Sequence, residues 1–72
     1  MKKVILNALR AYYTGENAKH KANIEIFLEN GVGVGDHPDV METISAEVMK
    51  VAEFEDALMV LDQHFNTSIP KI

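Results

Sequence analysis

Cysteine is absent from this chain of 72 residues. Its absence excludes a disulfide framework and any zinc site built on thiolates. A chain this short allows one domain at most, because a small domain buries a smaller share of its surface than a large one does. Oligomerisation is therefore the remaining way to compensate for the small size.

Long apolar runs are also lacking. No run approaches the roughly 18 residues that are needed to span a bilayer. The N-terminal stretch MKKVILNALRAYY has too short an apolar run for a signal peptide, and Asn7 and Arg10 interrupt it. We therefore expect a soluble, cytoplasmic protein with no membrane partner.

Basic residues are few, and the net charge is −4. This balance argues against generic binding to nucleic acid, which depends on neutralising phosphates. Residues 1–30 carry a charge of +2 and residues 31–72 a charge of −6. The opposite signs favour packing of the two halves against each other, although exposed ion pairs contribute only about 0 to 1 kcal/mol each.

Residues 38–65 contain no Gly and no internal Pro, and they predict a helix. Large apolar residues recur there at steps of three and four, as one face of a helix requires. Pro38 suits the first helical position, Asp36, Asp39 and Glu42 suit the positive end of the helix dipole, and Pro70 prevents continuation. The predicted stripe consists of Val40, Ile44, Val48, Val51, Phe54, Leu58, Leu61 and Phe65.

A second helical pattern runs from about residue 3 to residue 30. Its predicted stripe consists of Ile5, Leu9, Tyr12, Tyr13, Glu16, His20, Ile24, Phe27 and Leu28. The run TGEN leaves open a break at Gly15 with a new cap at Asn17, which would give three helices. We favour one continuous helix of roughly 42 Å, because the stripe keeps its phase through Gly15 and its length then matches that of the other helix.

The segments between and after the helices complete the predicted fold. Residues 24–28 alternate briefly and leave a short strand as an alternative, and the run GVGVGDHP predicts a turn over residues 31–37. Residues 66–72 form a polar tail. We expect a single all-α domain over residues 1–72, an antiparallel two-helix hairpin. Because one hairpin covers only part of its apolar surface, we expect a homodimer that forms a four-helix bundle.

The glycine-rich turn is the first candidate for chemistry. Backbone N–H groups at a helix start can bind phosphate, but this run lacks the P-loop residues and places Asp36 and Asp39 where phosphate would lie. His37, together with those two residues and Glu42, is a candidate oxygen-rich cation site, but the spacing is not that of an EF-hand. We favour a structural turn.

The remaining candidates also favour structural roles. His20 falls on the apolar side of the first helix and is interpreted as a hydrogen-bonded interior residue, and His64 as a residue that caps a helix end. Tyr12 and Tyr13 are expected to pack near Glu55 and Asp56 rather than to stack on a ligand. We therefore predict no catalytic, cofactor-binding or metal-binding residue, and no cofactor.

The run AKHKANIEIFLENGVGVGDHPDVMETI, followed by AEFEDALMVLDQHF, carries a resemblance. It resembles small helical proteins of unassigned function from contractile-tailed phages of marine cyanobacteria and related marine viral sequences. The most distinctive part is the Gly-Val-Gly-acid-His-Pro-Asp turn. The resemblance implies a phage origin, with action in the cytoplasm of an infected bacterium or in a virion.

Three hypotheses for function follow. The first is a non-enzymatic homodimer that binds a phage or host protein or takes part in assembly. The second is a nucleic-acid-binding helical dimer that uses the basic residues of the first helix, namely Lys2, Lys3, Arg10, Lys19 and Lys21. The third is binding of a small ligand or cation at the glycine-rich turn.

Overall fold

A computed structural model of the chain describes residues 1–29 and 40–65, and both segments are helical. Helix α1 spans Lys2–Glu29 and helix α2 spans Val40–Phe65. Arg10 contacts Asp62 near the chain ends, and His20 contacts Glu47 nearer the connection, so the helices run antiparallel. The predicted all-α, two-helix hairpin is confirmed.

Some predicted features lie outside the described residues. They are the turn over residues 31–37, the tail over residues 66–72, and the start of the second helix at Pro38 and Asp39.

Helix α1 continues through Gly15, so the prediction of one helix in the first half of the chain is confirmed. An interior Gly costs about 1 kcal/mol relative to Ala, which 28 residues of helix packed on a partner can offset. Residues 24–28 belong to the same helix, and residues 1–29 and 40–65 contain no strand.

The two helices meet along a seam of side chains whose exposure is reduced. In α1 the side chains of reduced exposure include a series at steps of four and three, which we call the seam residues: Leu6, Arg10, Tyr13, Asn17, His20, Ile24 and Phe27. In α2 the corresponding series is Val40, Ile44, Glu47, Val51, Phe54, Leu58 and Leu61. The neighbouring residues Glu16, Asn23, Thr43, Ala57 and Asp62 are partly covered as well. A mean step of 3.5 is the spacing of a coiled coil.

The predicted stripe of α1 is wrong in its first half. Ile5, Leu9 and Tyr12 are exposed, whereas the residues that follow each of them lie in the seam. Leu28, at the end of the predicted stripe, is exposed as well. Hydrophobicity favours Leu9, whereas the seam position between Leu6 and Tyr13 is held by the polar residue Arg10. An ion pair with Asp62 allows that position to face α2.

The stripe of α2 needs two corrections of the same kind. Val48 is exposed, and the seam position beside it is occupied by Glu47, which has hydrogen-bond partners on α1. Phe65, at the end of the helix, is also exposed. Among the described residues only Leu61 is buried, so the hairpin has a line of contact rather than an enclosed core.

Candidate functional site

The centre of the seam holds a polar cluster around the carboxylate of Glu47. His20 Nδ1 lies 2.7 Å from Glu47 Oε1, and Asn23 Nδ2 donates to the same oxygen at 2.9 Å. On the other side of the ring, His20 Nε2 lies 3.7 Å from Glu16 Oε1. Three-residue and four-residue steps place Glu16, His20 and Asn23 on one side of α1. The cluster therefore joins the two helices through one histidine and one amide.

Aromatic rings pack directly beside this cluster. The His20 ring is stacked on the Phe54 ring, with centroids 5.9 Å apart and an interplanar angle of 10°. Tyr13 lies 6.0 Å and Tyr12 6.3 Å from the same Phe54 ring. The expected packing of the two tyrosines is thus present, with Phe54 as the neighbour on α2. These contacts exclude water from one face of the imidazole and support a structural role for it.

The polar partners shift the ionisation of Glu47. The hydrogen bond from His20, and then that from Asn23, stabilise the carboxylate and lower the pKa of Glu47 below its ordinary value near 4.5. Partial burial acts in the opposite direction and is outweighed. Glu47 is therefore ionised in the folded hairpin at neutral pH.

Further ion pairs join the basic first half of the chain to the acidic second half. Arg10 pairs with Asp62, and Lys21 Nζ lies 3.1 Å from Glu55 Oε2. The hydrogen bonds from Lys21 and Asn17 lower the pKa of Glu55. These pairs join the helices as the charge distribution indicates. They also engage two of the five basic residues that the nucleic-acid hypothesis requires.

A histidine between two carboxylates does not by itself form a catalytic site. Both ring nitrogens of His20 are directed at carboxylate oxygens, so neither is placed to activate a hydroxyl nucleophile. The two nitrogens face different carboxylates on opposite sides of the ring. Within residues 1–29 and 40–65, no group of three or more His, Asp or Glu side chains is arranged to hold a metal ion.

The other predicted site residues are only partly described. Asp36, His37 and Asp39 lie outside the described residues, and Glu42 lies in the first turn of α2. His64 lies in the last turn of α2, with its ring 6.5 Å from that of Phe65.

The sequence pattern places Glu16 on the same side of α1 as His20, but it does not predict Glu47 or the other polar residues of the seam. Arg10, Asn17 and Glu47 occupy seam positions, and Asn23 lies directly beside one. Apolar periodicity gives no indication that these four polar residues lie at or beside the contact between the helices. The signal available was the strict alternation of four-residue and three-residue steps, which continues through Arg10 and Asn17 once Leu6 is taken as its start.

Comparisons with known proteins returned no relatives: no family model, curated protein or solved structure matches the chain. Neither helix in the described part of the chain is long and apolar enough to cross a membrane.

Proposed function

We propose that this chain is a non-enzymatic protein-interaction or assembly module that acts as a homodimer, in which two hairpins pack into a four-helix bundle. The observation that carries this proposal is the imbalance between buried and exposed apolar side chains. Among the described residues one apolar side chain is buried, whereas thirteen large ones are at least 36% exposed. A surface of this kind on a small helical chain is typical of an interaction site.

The free energy gained by removing apolar surface from water favours another copy of this chain as a binding partner. Removing apolar surface from water contributes about 25 cal/mol per Å², and isolated helix pairs of this size bury little of it. A bundle of four helices encloses the flanks that one hairpin leaves in contact with water. A two-fold axis is the commonest relation between identical chains in such assemblies.

The partner beyond the second copy is proposed to be a phage or host protein, in an infected bacterial cytoplasm or in a virion. This step is supported by the resemblance of the chain to small proteins of marine phages. Capture of the tagged protein from infected cells, followed by identification of the bound proteins, tests it. Recovery of the tagged chain alone would contradict it.

The nucleic-acid hypothesis has less support. Arg10 and Lys21 pair with carboxylates of α2, and Lys19 Nζ lies 3.1 Å from Glu16. Phosphates would have to displace these carboxylates, which are covalently part of the same chain and hence always present. A mobility shift with duplex DNA or RNA at low salt would revive this hypothesis.

Light scattering coupled to gel filtration tests the dimer. We expect twice the mass of the chain at micromolar concentrations, and a melting temperature that rises with protein concentration. A well-folded monomer with a concentration-independent melting temperature would overturn the proposal.

A further inference from the structure

We propose that the two copies meet at the open end of the hairpin, through an apolar patch that consists of Ile5, Leu9 and Tyr12 of α1 and Val60 of α2. A two-fold axis passes close to Leu9, and the α1 helices of the two copies cross antiparallel there. This inference rests on the proposed homodimer and specifies its interface. It confines the overlap of the four helices to the open half of each hairpin, about residues 2–16 of α1, rather than its full length.

The patch is formed by residues that directly precede seam residues. Ile5, Leu9 and Tyr12 are 53%, 36% and 57% exposed, and steps of four and three place them in one ridge along α1. Val60, which precedes the buried Leu61, is 40% exposed. In an antiparallel pair of right-handed helices, the positions that precede the seam lie on the same side of both helices. Val60 therefore shares a flank with the α1 ridge.

The opposite flank is less suited to a contact between copies. It consists of the positions that follow seam residues. Its exposed apolar residues, Leu28, Met41, Val48 and Met59, are interrupted by the ion pair of Lys21 and Glu55. Asp62, on the same flank, pairs with Arg10. Burying such charges under a second hairpin carries a desolvation penalty that the patch around Leu9 avoids.

The charges at the two ends of the ridge favour a second copy of the chain as the partner. They also favour antiparallel packing of the two α1 helices. The ridge reads Lys2, Ile5, Leu9, Tyr12, Glu16, which is basic at one end, apolar in the middle and acidic at the other. Antiparallel packing of this ridge on itself about Leu9 brings Lys2 of each copy toward Glu16 of the other. Parallel packing would instead place like charges together. Glu16 also contacts Lys19 and His20 of its own helix, so the intermolecular pair selects the direction rather than supplying the affinity.

The absence of cysteine from the chain permits a direct test with single cysteine substitutions in the full protein. Leu9→Cys places one thiol on each side of the proposed axis, and mild oxidation should convert most of the protein to a covalent dimer. Val48→Cys is the matched control, because Val48 is 48% exposed on the opposite flank. We expect it to stay largely unlinked. Efficient linking of Val48→Cys, with none of Leu9→Cys, would overturn the proposed interface.

Charge substitutions give a second measurement that does not depend on oxidation. Leu9→Lys should weaken dimerisation at least tenfold in sedimentation equilibrium, and Val48→Lys should change it less than threefold. If Leu9→Lys loses its helical circular dichroism, Ile5→Lys replaces it, because Ile5 is more exposed. Lys2→Glu should also weaken the dimer, and Glu16→Lys added to it should restore part of the loss.

These outcomes distinguish a failure of the proposed interface from a failure of the proposed homodimer. A dimer that Val48→Lys dissociates and Leu9→Lys leaves intact would retain the homodimer and refute this patch. A monomeric parent chain would refute both.

Discussion

The imidazole of His20 lies nearly parallel to the ring of Phe54, at a centroid distance of 5.9 Å, while its Nδ1 is 2.7 Å from Glu47. One side chain of α1 thus makes both an apolar and a polar contact with α2. Because Phe54 and Glu47 are two turns apart on α2, the stacked ring and the hydrogen bond together fix how the helices align. Three of the predictions below concern this central part of the seam.

Truncation of Phe54 tests the apolar part. Phe54 is half-buried and contacts three rings of α1, those of Tyr12, Tyr13 and His20. We expect Phe54→Ala to lower the free energy of unfolding by about 2 kcal/mol, which is below the range for a fully buried Phe because one side of the ring remains in contact with water. Urea denaturation followed by circular dichroism measures this change.

Met49→Ala is the control for Phe54→Ala. Met49 lies in the same helix but is 67% exposed, so its truncation should change the stability by less than about 0.5 kcal/mol. Equal losses for the two variants would show that the rings around Phe54 do not stabilise the hairpin.

The polar part of the seam predicts a dependence of stability on pH. The folded state lowers the pKa of Glu47 below its ordinary value near 4.5, chiefly through the hydrogen bond from His20. The resulting stabilisation is complete above that value, and it is lost as the pH falls from there through the lowered pKa of Glu47. We expect Glu47→Gln to be less stable than the parent by about 1 kcal/mol at pH 7, with the difference shrinking toward pH 3. Urea midpoints at several pH values measure it.

Glu53→Gln is the matched control for Glu47→Gln. The carboxylate of Glu53 lies 3.4 Å from Lys50 of its own helix, on the surface. Its replacement should leave the pH profile close to that of the parent, because an exposed pair of this kind contributes little. Parallel pH profiles for the parent and Glu47→Gln would contradict the role assigned to the His20 hydrogen bond.

The two helices and their antiparallel packing could be predicted from the sequence, because a long apolar period is a stronger signal than one interior glycine. The exact face of α1 could not. Ile5, Leu9 and Tyr12 have the same spacing as Leu6, Arg10 and Tyr13, and hydrophobicity alone favours the first set. Only the partner of Arg10 on α2 decides between them, and that partner depends on the alignment of the two helices.

The polar cluster around Glu47 could likewise be predicted only in part. That His20 is a hydrogen-bonded interior residue could be predicted from its position on the inner side of a helix. Its partner on α2 could not be predicted, because a shift of α2 by one turn would exchange Glu47 for Thr43 or Val51. Tyr12 and Tyr13 illustrate the size of the remaining error. They were expected near Glu55 and Asp56, and they pack on the adjacent residue, Phe54.

Gly15 offers a way to raise the stability of α1. A Cβ added at this position would meet nothing within 4 Å, and the residue is already helical. We expect Gly15→Ala to stabilise the hairpin by about 1 kcal/mol, because alanine has fewer conformations to lose on folding. Thermal and urea unfolding measure the gain. A loss of stability would indicate that another chain packs closely against this face, which is a different face of α1 from the Leu9 patch.

The last prediction concerns Asn17, which holds a seam position and leaves one polar atom, Oδ1, without a partner among the described residues. Its Oδ1 is shielded from solvent and accepts no hydrogen bond from the described residues, and its Nδ2 lies 3.5 Å from Glu55. A shielded acceptor without a donor costs about 1 to 3 kcal/mol, and a leucine there would add apolar contact instead. We therefore expect Asn17→Leu to stabilise the hairpin by about 1 to 2 kcal/mol in urea denaturation.

Asn7→Leu separates burial from helix propensity in this test. Asn7 is exposed in the same helix, so the change gains the same propensity, about 0.5 kcal/mol, without filling the seam. Only the excess gain at Asn17 measures the cost of the polar seam residue. An excess of zero or below would mean that Asn17 has found a partner, and its amide would then stabilise this pairing of the helices as well as specify it.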